Sequence, residues 1–198
     1  FPSLPMEVMN QLRPLLDLTE KMCSLMGQLV RKIHDITISY SGSVADLKTL
    51  GELCRRHQLL FAVDNTFMTP VLQRPLDFGA DVVLHSGTKY LGGHSDICCG
   101  AVLSSRELIE RIKSSAINFG GSLNASTCHL LERSLKTMGL RVDKQNKNAL
   151  TIARHLSGHP LIRRVNYPGL ETHPGFDIAR RQMRGFGGML SFELDENP

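Results

Sequence analysis

Two stretches decide the fold: Leu59-Leu60-Phe61-Ala62-Val63-Asp64 and Asp81-Val82-Val83-Leu84-His85-Ser86-Gly87-Thr88-Lys89. Each is a short, unbroken apolar run that ends in polar residues, without the period-two alternation of a half-exposed strand. Strands buried on both faces read this way, and such strands belong to parallel sheets covered by helices. Working outward, residues 44–58 set Val44, Leu47, Leu50 and Leu53 on one helical face, and residues 70–78 suggest a short helix. A third buried strand is expected over 97–103. Helices are expected over 106–118, 126–140 and 143–156, then a strand over 162–167, a helix over 174–183 and a strand over 189–194. This alternation argues for an α/β fold with a largely parallel sheet and helices on both faces.

Before these elements, residues 7–33 carry Val8, Leu12, Leu15, Leu16, Met22, Leu25, Met26, Leu29 and Ile33 at spacings of three or four. That is one apolar face of an amphipathic helix, bent or broken near Pro14. The 198 residues, with a net charge of +4, are enough to bury a core without staples. Basic residues are dispersed and Trp is absent, so no nucleic-acid surface is expected. No apolar run has membrane-spanning length. The five cysteines, Cys23, Cys54, Cys98, Cys99 and Cys128, contain no C-x-x-C pair. Cys98 and Cys99 read as buried thiols in a strand, and neither a disulfide framework nor a metal site is expected. A reducing compartment, the cytoplasm, fits that usage. The chain starts at Phe1 rather than Met, with no signal-peptide pattern, and is expected to be a piece of something longer.

In open α/β sheets ligands bind beyond the carboxyl ends of the strands. Asp64 stands at one such end and His85-Ser86-Gly87-Thr88-Lys89 at another. If the two strands are neighbours, a carboxylate, an amine and two hydroxyls converge on one mouth. That set suits a phosphorylated cofactor with a basic ring nitrogen. A lysine after a strand is also common as a surface residue, and a strand-end aspartate as a helix cap, so spacing alone leaves both readings open.

The segment Val63-Asp64-Asn65-Thr66-Phe67, then Thr69-Pro70, Gln73-Arg74-Pro75-Leu76 and Gly79-Ala80-Asp81, resembles the transsulfuration (Cys/Met metabolism) family of pyridoxal-phosphate (PLP) enzymes. So do His85-Ser86-Gly87-Thr88-Lys89-Tyr90 and Gly93-His94-Ser95-Asp96. Further matches are Leu135-Lys136-Thr137, Tyr167-Pro168-Gly169-Leu170, His173-Pro174-Gly175, Arg180-Arg181-Gln182-Met183, and the run from Gly185 to Phe192. The resemblance covers residues 44–194. It implies a partial fold-type-I large domain and the start of a small C-terminal α/β domain. Lys89 is then the lysine that forms the Schiff base with the cofactor and later moves protons on the substrate. Asp64 partners the ring nitrogen and keeps it protonated, and Ser86 and Thr88 bind the phosphate. His94 and Asp96 are expected to be structural. The implied substrate is a small sulfur-containing or homoserine-derived amino acid, in reactions of the cystathionine γ-synthase or γ-lyase type. The implied assembly is a homo-oligomer, dimer or tetramer.

The family's Tyr–Arg pair, Gly-rich phosphate loop and ring-stacking Tyr are not recognisable in residues 1–38. Ser39-Tyr40-Ser41-Gly42-Ser43 stands where a Pro-x-Asn-Pro segment is usual, and Glu132-Arg133-Ser134 where an Arg-Gly pair is. The chain also ends before the family's carboxylate-binding arginine. The expected organisation is a divergent helical segment over 1–38, a PLP-binding portion over 39–140 and the beginning of a C-terminal domain over 141–198. A member truncated at both ends, weak or inactive and acting as a binding or assembly fragment, is the alternative expectation.

Overall fold

In this computed structural model residues 43–195 are described; the helix expected over 7–33 lies outside them. Helix α1 (Leu47–Arg56) starts where Asp46 Oδ1 accepts the Thr49 N–H at 3.2 Å, and ends with Arg55 and Arg56 against its carbonyl end. Its buried face, Leu47 and Gly51, packs on the next elements. Gly51 lies so close to the Phe78 carbonyl that a β-carbon would overlap it. Strand β1 (Ala62–Asp64) runs parallel to β2 (Val82–Ser86), with Ala62, Val63 and Asp64 opposite Val82, Val83 and Leu84. Between them lie α2 (Thr69–Leu72) and the 3₁₀ turn Pro75–Phe78. Leu47, Phe61, Val63, Ala80 and Val83 form the core beneath this layer.

Strand β3 (Gly100–Ser104) pairs with β2 antiparallel, so β1·β2 is the parallel pair of this three-stranded sheet. An antiparallel edge strand on a parallel sheet is a known arrangement. Being an edge, β3 leaves Gly100, Val102 and Leu103 exposed. Cys98 and Cys99 precede it, one exposed and one half-buried, which corrects the reading of both as buried strand thiols. Residues 97–99 are apolar yet precede the strand, which starts at Gly100 rather than at the expected position 97.

Helix α3 (Arg106–Asn118) is capped by Ser105, and α4 (Ala125–Leu135) by Asn124, whose Oδ1 accepts the Thr127 N–H at 2.8 Å. Helix α5 spans Met138–Ser157, where two helices with a gap near 141–142 were expected. The break falls at Lys136 and Thr137 instead. There the Ser134 carbonyl accepts the Thr137 N–H and hydroxyl at 3.2 and 3.3 Å and the Arg141 guanidinium at 2.9 Å. After α5, β4 (Ile162–Asn166) pairs antiparallel with β5 (Ser191–Leu194), and α6 (Phe176–Gln182) lies between them in sequence. Tyr167, fully buried, joins Ala149 and Ala153 of α5 in a core shared with this second sheet.

Candidate active site

Parallel pairing of β1 and β2 makes their carboxyl ends neighbours. The register sets Asp64 beside Leu84, and strand alternation puts Asp64, Leu84 and Ser86 on one face, with Val83 and His85 on the other. The first face is the more open: Asp64 is exposed and Ser86 half-buried. Asp64 turns the chain locally, its Oδ1 accepting the Thr66 N–H at 2.9 Å. Thr66 Oγ1 then accepts the Ser86 N–H at 2.7 Å, so the two strand exits are stitched together by a side chain. Sequence reading quoted Thr66 only as part of a motif and missed this part.

Beyond Ser86 the chain makes a wide turn, Gly87–Leu91, in which Lys89 leaves helical geometry at φ −88° and ψ −110°. The Gly87 N–H donates to the Cys99 carbonyl at 2.8 Å, and Thr88 Oγ1 accepts the Cys99 N–H at 3.3 Å. Having accepted one bond, the Thr88 hydroxyl keeps its own proton for another acceptor. Gly87 is required here because a β-carbon would overlap the Cys99 thiol. Lys89 is exposed. Its neighbour Tyr90 is half-buried, meets the Phe67 ring edge-on at 6.2 Å, and has its phenol pushed up by burial. The turn closes through Gly92 N–H to Gly87 O at 2.8 Å and Gly93 N–H to Lys89 O at 2.7 Å. His94 donates from Nδ1 to the Gly92 carbonyl at 2.6 Å, and Asp96 is exposed.

On the opposite face His85 is 4% exposed, and burial pushes its imidazole below the usual histidine range, with Asp64 partly offsetting that. Its Nδ1 has no hydrogen-bond partner. The segment between the strands is held by buried amides. Asn65 Nδ2 donates to the carbonyls of Thr69 and Gln73 at 3.1 and 2.9 Å, and Gln73 Nε2 donates to Asn65 Oδ1 at 3.0 Å. Among the described residues no cluster of His, Cys, Asp and Glu could hold a metal ion, and no helix is long and apolar enough to cross a membrane.

An amine, a carboxylate and two hydroxyls at the ends of two adjacent parallel strands are the donor set that PLP requires. The residue types fit that group: Lys89 would take its aldehyde, Asp64 its ring nitrogen, and Ser86 and Thr88 its phosphate.

Residues 37–198 match the family described as Cys/Met metabolism PLP-dependent enzyme. The chain is 48% identical over 153 residues to the cystathionine gamma-synthase of Mycobacterium leprae, covering 77% of this chain and 39% of that protein. It is 47% identical over 156 residues to the cystathionine beta-lyase of Lactococcus lactis subsp. cremoris, covering 78% and 41%. Among solved structures it is similar to cystathionine gamma synthase from Xanthomonas oryzae pv. oryzae in complex with cystathionine. There the TM-score is 0.76 at 44% identity, over 78% of this chain and 40% of that one. The chain thus spans about 40% of the length of these relatives. The described fold is the corresponding part of the fold-type-I α/β architecture.

Proposed function

The chain belongs to the Cys/Met metabolism PLP-dependent enzyme family, and from that premise we propose that it works on small sulfur-containing or homoserine-derived amino acids, as a γ-replacement transferase or lyase. The observation that carries the reading is the parallel β1·β2 pair, with Asp64 at the end of one strand and Ser86, Thr88 and Lys89 at and beyond the end of the other. Bound at this site, PLP supplies an electron sink for charge left on an amino acid that loses a proton. Lys89 would hold the cofactor through Nζ, and the same amine would carry a proton to and from the substrate carbons. Asp64 would accept from the ring N–H, a charge-assisted bond that would keep that proton in place. Ser86 and Thr88 would donate hydroxyl protons to phosphate oxygens. Thr66 fixes the Ser86 amide and so the spacing between carboxylate and hydroxyls.

The proposed division into a PLP-binding portion over 39–140 and a C-terminal portion over 141–198 is supported by the separate sheets β1–β3 and β4–β5. The cytoplasm is the proposed location, supported by four cysteines that are free among the described residues. The test is turnover. The PLP-treated chain is offered cystathionine, cysteine, methionine and acylated homoserine, and 2-oxo acid and cystathionine are assayed. Product formation that vanishes in Lys89→Ala supports the reading. Product formation that survives that substitution sinks it.

Exposed apolar side chains favour a second reading. Leu140, Ile117 and Phe119 are 77%, 60% and 51% exposed. These surfaces suit assembly with another copy of the chain, so that the protein acts as an oligomer or as a binding fragment.

A further inference from the structure

Arg141 lies in the first turn of α5, far in sequence from the cofactor motif, and its side chain reaches back to it. Nη1 donates to the Tyr90 carbonyl at 2.9 Å, and Nη2 to the carbonyls of Leu91 and Ser134 at 3.4 and 2.9 Å. Nε donates to Thr137 Oγ1 at 3.1 Å. One planar cation therefore joins the turn that carries Lys89, the end of α4 and the start of α5. Gly93 is shaped around it: its φ is +75°, and a β-carbon there would overlap the guanidinium. Lysine cannot reproduce this pattern, because an ammonium is a point donor rather than a rigid fork.

Two of the three carbonyls that Arg141 holds belong to the residues immediately after Lys89. Within the turn the Gly92 N–H reaches the carbonyls of Gly87 and Lys89 and the Gly93 N–H that of Lys89, yet Lys89 itself departs from helical geometry. An external clamp at Tyr90 and Leu91 therefore sets the direction in which Lys89 leaves the backbone. We propose that Arg141 is a positioning residue for Lys89, holding the turn so that the amine meets the cofactor aldehyde in a reactive geometry. The inference rests on the reading of Lys89 as the cofactor lysine and adds a residue that touches neither cofactor nor substrate.

The experiment uses the full chain with Arg141→Lys, Arg141→Ala and Lys89→Ala variants. PLP is added, samples are quenched with borohydride over time, and peptide mass mapping gives the rate of pyridoxyl attachment at Lys89. Attachment at the exposed Lys113 and Lys144, read from the same samples, corrects for general reactivity, and thermal melting reports folding. Arg141→Lys is expected to melt like the wild type, yet to lose at least about tenfold in Lys89 rate, with Lys113 and Lys144 unchanged. If Arg141→Ala does not fold, Arg141→Lys decides alone. Lys89 attachment at the wild-type rate in Arg141→Lys overturns the inference and leaves the proposed function standing. Absence of Lys89-specific attachment in the wild type overturns both.

Discussion

Asn65 is 2% exposed and spends its amide on two carbonyls and the Gln73 side chain. One of those carbonyls belongs to Thr69, a buried β-branched residue at φ +58°, where a side chain is strained. Asn65→Leu would remove the Asn65 partners of the Gln73 Nε2 and the Gln73 carbonyl, while the Thr69 carbonyl keeps the Gln73 N–H. It should destabilise the chain by about 3 kcal/mol, read from urea unfolding. Tyr167 gives a pH prediction. Burial raises its phenol to about 12, and its hydroxyl donates to the Gly187 carbonyl at 2.9 Å. In the unfolded chain the phenol ionises near pH 10. The stabilisation is therefore fully present below pH 10 and is lost as pH rises from 10 towards 12. Tyr167→Phe should be less stable at pH 8 and show a shallower alkaline decline. At this scale the place of Asp64, Ser86, Thr88 and Lys89 at or just after strand ends was legible, because each lies at or just after the end of an apolar run. Arg141 was not, since its partner Tyr90 is 51 residues away and a charged residue inside a helical pattern reads as solvated.

Strand β2 and the turn after it form the element on which the site depends. The turn is held against the segment before β3 by Gly87 N–H and Thr88 Oγ1, both bonded to Cys99. Gly87→Ala would push the Cys99 thiol and backbone away and break both contacts. It should cost about 2 kcal/mol in stability, and slow PLP attachment at Lys89 while the far-ultraviolet circular dichroism stays native. Stopped-flow absorbance and chemical unfolding check the two effects. Most elements could be read from apolar runs and capping residues: α3 was expected over 106–118 and spans Arg106–Asn118. Strand direction could not, because β3 reads as an apolar run whichever way it pairs. The break between α4 and α5 was also hidden. No Gly or Pro stands at Lys136-Thr137, and the Ser134 carbonyl is held there by Thr137 and by a side chain from the following helix.

For the whole molecule, the balance between core and surface carries the argument. Two sheets and their helices enclose cores around Val63 and Tyr167, while Ile117, Phe119 and Leu140 stay open to solvent. Apolar groups this exposed drive association by the area they remove from water. The wild-type chain should therefore elute at a size that grows with concentration on gel filtration. Ile117→Lys combined with Phe119→Lys should shift it towards monomer without lowering its melting temperature. An unchanged elution profile would remove assembly through this surface from the account. The central claim, that two strand exits build a PLP site on Lys89, is tested most directly by one measurement. The chain is incubated with PLP, reduced with borohydride, digested and mapped by mass spectrometry. The account predicts a pyridoxyl group on the peptide containing Lys89, lost in Lys89→Ala and weakened in Asp64→Ala. Pyridoxyl groups spread evenly over surface lysines, with Lys89 no different from the rest, would contradict it.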